Sequence, residues 1–238
     1  MKRIVLPLLL FSSVLSFGQS GILKKASGLL NQAKGGSLSN EEIISGLKEA
    51  LSIGAQNSAS KLSAVDGFFA NAAIKVLMPP EAKKVESTLR SVGMGDLVDK
   101  AILSMNRAAE EAAKSAAPIF VEAVKNMTVN DALGILKGAD TAATGYLRSK
   151  TLPALTNAFR PVIETALQKT DATKYWKSVF EAYNKLPTTF NKVNPDLSAY
   201  VTERSLSGLF YQVAQEEQNI RKDPAARVTE TLKKVFGS

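Results

Sequence analysis

Asp140, Thr144 and Arg148 stand four residues apart, with Thr141 and Tyr146 among them. On a helix, residues four apart share a face. This run would therefore present a carboxylate, a hydroxyl and a guanidinium along one stripe, a set suited to holding a polar or anionic ligand. The same residues also fit a structural role. Asp140 would cap the helix, and Arg148 would sit near its C-terminal end, where the helix dipole favours a cation. A second set is Asn106, Arg107 and Glu110. Glu110 with Lys114, and Arg107 with Glu111, have the spacing of surface ion pairs, each contributing roughly 0.2–0.5 kcal/mol. The alternative places Asn106 and Arg107 in the interior, against carboxylates of another helix. Glu217 and Arg221 repeat the arrangement, with Glu four residues before Arg. The candidate ligand-binding residues are thus Arg107, Asp140, Thr144, Tyr146, Arg148, Glu217 and Arg221. They would either line one polar cleft or form a buried network that sets helix register.

Composition narrows the chemistry open to them. The 238 residues include no Cys and no His. There is no thiolate nucleophile, no disulfide framework, no zinc knuckle and no Ser-His-Asp triad. Ser45 and Lys48 form an S-x-x-K match, but the Ser-Asp-Asn and Lys-Thr-Gly partners of penicillin-binding enzymes do not occur. Ser58 and Lys61 match equally well, which shows how weak the pattern is. Gly93-Met94-Gly95 is a lone G-x-G without a strand before it, and reads as a turn between helices. No calcium-binding loop is present, and no two acidic residues stand out as a hydrolytic pair. No catalytic residue, metal or cofactor is therefore assigned.

Residues 1–20, MKRIVLPLLLFSSVLSFGQS, have the layout of a secretory signal: Lys2 and Arg3, an apolar run, then small residues. The run is shorter than the roughly 20 residues that span a bilayer. Cleavage after Gly18, Gln19 or Ser20 and a periplasmic destination are expected. Losing Lys2 and Arg3 leaves 28 basic against 22 acidic residues, so the formal charge falls from +8 to +6. That mild excess favours anionic surfaces. Nucleic acid is not an expected partner of an exported chain.

The elements that would position these residues are helical throughout. Apolar residues recur at helical spacing, no alternating strand pattern stands out, and 31 alanines suit close helix packing. The expected fold is all-α, an irregular compact bundle of about ten helices. Residues 21–36 would form a basic amphipathic helix, its Ile22–Lys34 stretch suited to an anionic membrane surface, and residues 37–238 a single helical domain. Ser39 with Glu42 and Thr128 with Asp131 read as capping boxes. A loop is expected around residues 58–67, a cap at Asp96, helix starts at Pro118 and Pro153, a cap at Asp196, and a long helix from Thr202 to Arg221. Leu97, Val98, Ile102, Met105 and Ala109 should share one stripe. Tyr175, Trp176, Phe180 and Tyr183 form an aromatic cluster, read as core or as a wall for sugar or lipid.

Four segments together resemble one family. They are SNEEIISGLKEAL at 39–51, SMNRAAE at 104–110, GADTAATGYLR at 138–148 and EEQNIRKDPAARVTETLKKVFG at 216–237. The chain resembles the bacterial domain of unknown function 4197 family over nearly all of its length beyond residue 20. The resemblance implies an exported helical protein with no established activity. The family pattern is often acidic at position 145 and aromatic at 147, where this chain has Gly145 and Leu147. The expected function is that of an exported, non-catalytic helical protein that binds a small polar or anionic ligand, or an envelope protein, through its polar cleft. The alternatives are a hydrolase using carboxylates or hydroxyls, and a membrane-peripheral structural protein.

Overall fold

The computed structural model describes residues 39–169, 176, 196–223 and 233. All regular structure among these residues is helical, so the chain is all-α. In chain order the helices are α1 (Asn40–Ser63), α2 (Lys83–Ser91), α3 (Gly95–Ala113), α4 (Ala116–Lys125), α5 (Val129–Lys137), α6 (Ala142–Gln168) and α7 (Leu197–Lys222), with a 3-10 turn at Pro80–Ala82 before α2. The expected basic helix at 22–34, the cluster partners Tyr175, Phe180 and Tyr183, and the last expected helix lie outside the described residues.

Seven described helices replace the expected ten partly because expected breaks are not there. The loop placed at residues 58–67 is helix as far as Ser63. Its serines are no obstacle: Ser58 is buried and its hydroxyl donates to the Gly54 carbonyl one turn back, at 2.7 Å. The larger correction is at Pro153. No helix starts there; α6 runs through both Pro153 and Pro161. A proline inside a helix leaves the carbonyl four residues earlier without a donor. Those carbonyls belong to Ser149 and Asn157, which are exposed, as are both prolines. Water can satisfy them. The buried stripe of Leu147, Thr151, Leu155, Phe159, Ile163 and Leu167 continues past both prolines on the other side.

Other boundaries shift for local reasons. Asp196 does cap a helix, accepting from the Ala199 N–H at 2.9 Å, but that helix is α7 itself and begins at once rather than at Thr202. Asp96 lies within the first turn of α3 and caps nothing; Met94 precedes the helix without a side-chain cap. Leu97, placed on the α3 stripe, faces out, while Val98, Ile102, Met105 and Ala109 face in. The Thr128–Asp131 capping box forms as expected, and its hydrogen bonds from Thr128 hold the Asp131 carboxyl below its usual range.

Helix α6 is the hub, with its largest contacts on α3 and α7. Phe120 of α4 meets Phe210 of α7 edge to face, ring centres 5.8 Å apart. Trp176 is buried and stacks on Tyr200 at 6.2 Å, which fits the core reading of that aromatic. Between α1 and α2 the chain is irregular, and it inserts Phe68 and Ile74 against α7. A Cβ on Gly208 would lie 2.7 Å from the Phe68 ring and 3.2 Å from Ile74, so α7 can approach this segment only because residue 208 has no side chain.

Gly208→Ala should therefore destabilise the protein by about 1–3 kcal/mol through overpacking. Gly134→Ala, at a helical position whose Cβ would meet nothing within 4 Å, should stabilise it by about 0.5–1 kcal/mol. Urea unfolding of the two variants beside the wild type checks both signs.

Candidate functional site

The seven sequence candidates do not line one cleft. They divide among two internal networks, the surface and one groove. The first network begins where α5 ends and α6 begins. Glu217 of α7 is buried, and its carboxylate accepts from the Ala143 N–H at 3.0 Å, and from the Thr144 N–H and hydroxyl at 2.8 Å each. These N–H groups belong to the first turn of α6, which has no intrahelical acceptor for them. Arg221, one turn further along α7, donates to Glu217 through Nε and Nη2 at 3.0 and 2.9 Å. Its Nη2 also donates to the Ile135 carbonyl at 3.0 Å, in the last turn of α5. The carboxylate thus meets the positive end of one helix dipole and the guanidinium the negative end of another. The link between them is tight: a Cβ on Gly138 would stand 2.5 Å from Ala142 Cβ.

Asp140, read as the cap of α6, is not part of this network. Thr141 precedes the helix and makes no side-chain cap. The cap is Glu217, supplied from α7. Asp140 pairs instead with Lys222 at 3.0 Å on the surface. Arg148 is not near a helix C-terminus either, since α6 runs on to Gln168. It is exposed and lies over the Phe210 ring, 5.2 Å from its centre.

The second network ties the irregular segment to α3. Asn106, fully buried, accepts from the Val76 N–H at 2.9 Å and donates to the Val76 carbonyl at 2.8 Å. Glu110 accepts from the Phe68 and Phe69 N–H groups at 3.1 and 3.2 Å. Arg107 bridges Glu110 and Asp66, both at 2.6 Å. The expected Glu110–Lys114 pair is not made; Lys114 pairs with Glu111. Interior placement was right for Asn106, but its partner is loop backbone rather than a helix carboxylate. Backbone N–H groups outside helices need acceptors when buried, and α3 supplies them. The two S-x-x-K lysines meet surface partners: Lys48 donates to the Lys125 carbonyl at the end of α4, and Lys61 lies 3.9 Å from Glu216.

A groove of about 550 Å3 between α4 and α6 opens to solvent. Pro118, Ile119, Glu122, Ala123 and Asn126 line one wall; Tyr146, Lys150, Thr151 and Ala154 line the other. The Tyr146 hydroxyl reaches across to the Ala123 carbonyl at 3.4 Å. Burial, then the Asp131 charge, push the Tyr146 phenol above its usual range, so it remains a donor. Only Tyr146 among the sequence candidates is on the groove. Glu122, Asn126 and Lys150 were missed because their spacings look like an ordinary solvated face. Among the described residues no group of acidic side chains is placed to hold a metal ion.

The family model described as "Protein of unknown function (DUF4197)" matches residues 37–237. The chain belongs to that family. No curated protein and no solved structure matches it. In this DUF4197 chain, segment 104–110 holds Asn106, Arg107 and Glu110, 138–148 holds Ala143 and Thr144, and 216–237 holds Glu217 and Arg221. Those segments thus carry Asn106, Arg107, Glu110, Thr144, Glu217 and Arg221, while their partners Asp66, Phe68, Phe69, Val76 and Ile135 lie elsewhere in the matched range. Position 145, glycine here, faces open space, so a carboxylate there would be a surface charge and not a partner in the Glu217 junction. Leu147 is core.

Glu217→Gln would remove the buried carboxylate charge that both Arg221 and the first turn of α6 meet. That should cost about 3–5 kcal/mol of stability, read as a lower denaturation midpoint. Asp140→Asn, which removes the surface pair, should leave the midpoint unchanged in the same experiment.

Proposed function

We propose that this chain is an exported, non-catalytic helical protein that binds a small polar or anionic ligand, or an envelope partner, in the groove between α4 and α6. The observation that carries the reading is the groove itself. Its volume of about 550 Å3 falls within the roughly 300–1,000 Å3 of small-molecule sites. It joins an apolar floor to a few polar groups, the usual make-up of such sites. Of the polar residues first expected to form the cleft, Arg107, Thr144, Glu217 and Arg221 belong to the two networks and Asp140 and Arg148 lie on the surface away from the groove, which moves the proposed site to Tyr146 and its neighbours.

A hydrolase finds little support in the buried carboxylates. Both oxygens of Glu217 and both oxygens of Glu110 already accept hydrogen bonds, and a general acid or base needs a lone pair or proton it can exchange with substrate. Export to the periplasm rests on the charged, apolar and small-residue order of residues 1–20. No helix of the described residues is long and apolar enough to cross a membrane.

Two measurements test the reading. Native mass spectrometry of the wild-type protein, purified from the envelope, should show a small-molecule adduct. Ala154→Trp, which fills the groove from an exposed position, should remove it, and Arg148→Ala should keep it. An adduct that survives Ala154→Trp overturns the groove as the site. A phosphatase reporter joined after Ser20 should be active outside the cytoplasm, and a reporter retained inside refutes export.

A further inference from the structure

Alone among the described helices, α2 buries none of its residues. Its main neighbours among the described elements are α3 and the 3-10 turn that leads into it. Val85 and Leu89 are half-buried and pack against the core. At nine residues, α2 is shorter than the about 12–15 that an isolated helix needs to persist in water. Ala82 precedes it without a side-chain cap. Lys83 and Lys84 open it, where the helix dipole favours anions, against one acid in that turn, Glu86. The ion pair that crosses from α2 to α3 joins Arg90 to Asp99 at 2.8 Å, and both side chains are exposed. That hydrogen bond holds the Asp99 carboxyl below its usual range. The chain on either side of α2 is fixed. Val76 is bound to Asn106 through both its N–H and its carbonyl. The Leu77 carbonyl accepts from the Tyr200 hydroxyl at 2.7 Å, and Ala82 is buried. Beyond the turn, where Gly93 takes a φ of 81°, Val98 of α3 lies in the core. A weakly held helix thus spans two anchored points.

We infer that α2 is a flap: residues 83–92 open as a unit while the rest of the bundle stays folded, and Arg90 on Asp99 is the latch. Opening uncovers little apolar surface, because Val85 and Leu89 are the α2 side chains that leave the core. It breaks an exposed charge pair, of a kind that contributes little to stability. The helix's own backbone groups pass to water, which is how weakly packed segments open below the free energy of global unfolding. Once open, the flap turns Val85 and Leu89 to solvent beside Val92, Met94 and Leu97, which are already exposed. The open form therefore shows a larger apolar surface than the closed one.

Hydrogen exchange of the full chain, followed by mass spectrometry through a series of low urea concentrations, tests the flap. Amides 83–92 should be at least about tenfold less protected than those in the middle of α6 and α7. Urea should hardly change their exchange, because their opening exposes little surface, while α6 and α7 should respond steeply. Asp99→Ala should speed exchange at 83–92 about two- to fivefold. Gly208→Ala burdens the bundle equally whether the flap is open or closed. It should lower protection in α6 and α7 and leave 83–92 unchanged. If amides 83–92 share the urea dependence of α6, or lose protection with Gly208→Ala as α6 does, the flap is overturned. Wild-type exchange at 83–92 in Asp99→Ala overturns Arg90 as its latch.

Discussion

One ion pair closes the junction on which this bundle turns. Glu217 and Arg221 lie one turn apart on α7, and between them they satisfy the start of α6 and the end of α5. Helix ends are the places where backbone groups lack partners, and burying two of them side by side would be costly without compensation. A carboxylate at the N-terminal end and a guanidinium at the C-terminal end suit both dipoles, and each neutralises the other. Desolvation usually cancels much of a buried pair's attraction. Here the backbone donors and acceptor supply the extra hydrogen bonds that make burial tolerable. Because α6 also packs on α3 and α7, the pair sets the direction in which the hub helix leaves its turn.

The Glu110 network follows the same principle with a different client. Two adjacent N–H groups of an irregular segment converge on one carboxylate, and an arginine on the same helix balances its charge. In both places a glutamate accepts from two consecutive backbone donors, Glu217 with one oxygen for each and Glu110 with a single oxygen for both. The protein places its few buried charges where the backbone would otherwise be unsatisfied. This accounts for polar residues in the middle of apolar stripes.

Much of this was legible in sequence, though unevenly. The all-α class followed from periodicity, and the Thr128–Asp131 and Asp196 caps from local signals whose partners lie three residues away. Glu217 and Arg221 were also legible as a pair, because they share a helix. What the pair grips was not: the α6 N-terminus is 74 residues distant, and Asp140 offered a nearer and plausible cap. Pro153 misled for a related reason. A proline reads as a break unless the stripe of buried residues at 147, 151, 155, 159, 163 and 167 is followed across it. The groove was the least visible, since it comes from the gap between two helices and not from a pattern on either.

The separation between Glu217 and the helix it caps has a consequence for the order of synthesis. As the chain emerges from its N-terminus, α5 and α6 are complete well before α7 exists. Through that interval the first turn of α6 has only water to meet its N–H groups, and the end of α5 has none of the guanidinium that later holds it. The bundle therefore cannot close progressively from its beginning. Its last described helix is also its latch, and the lasting arrangement of the earlier helices waits for one carboxylate near the end of the chain.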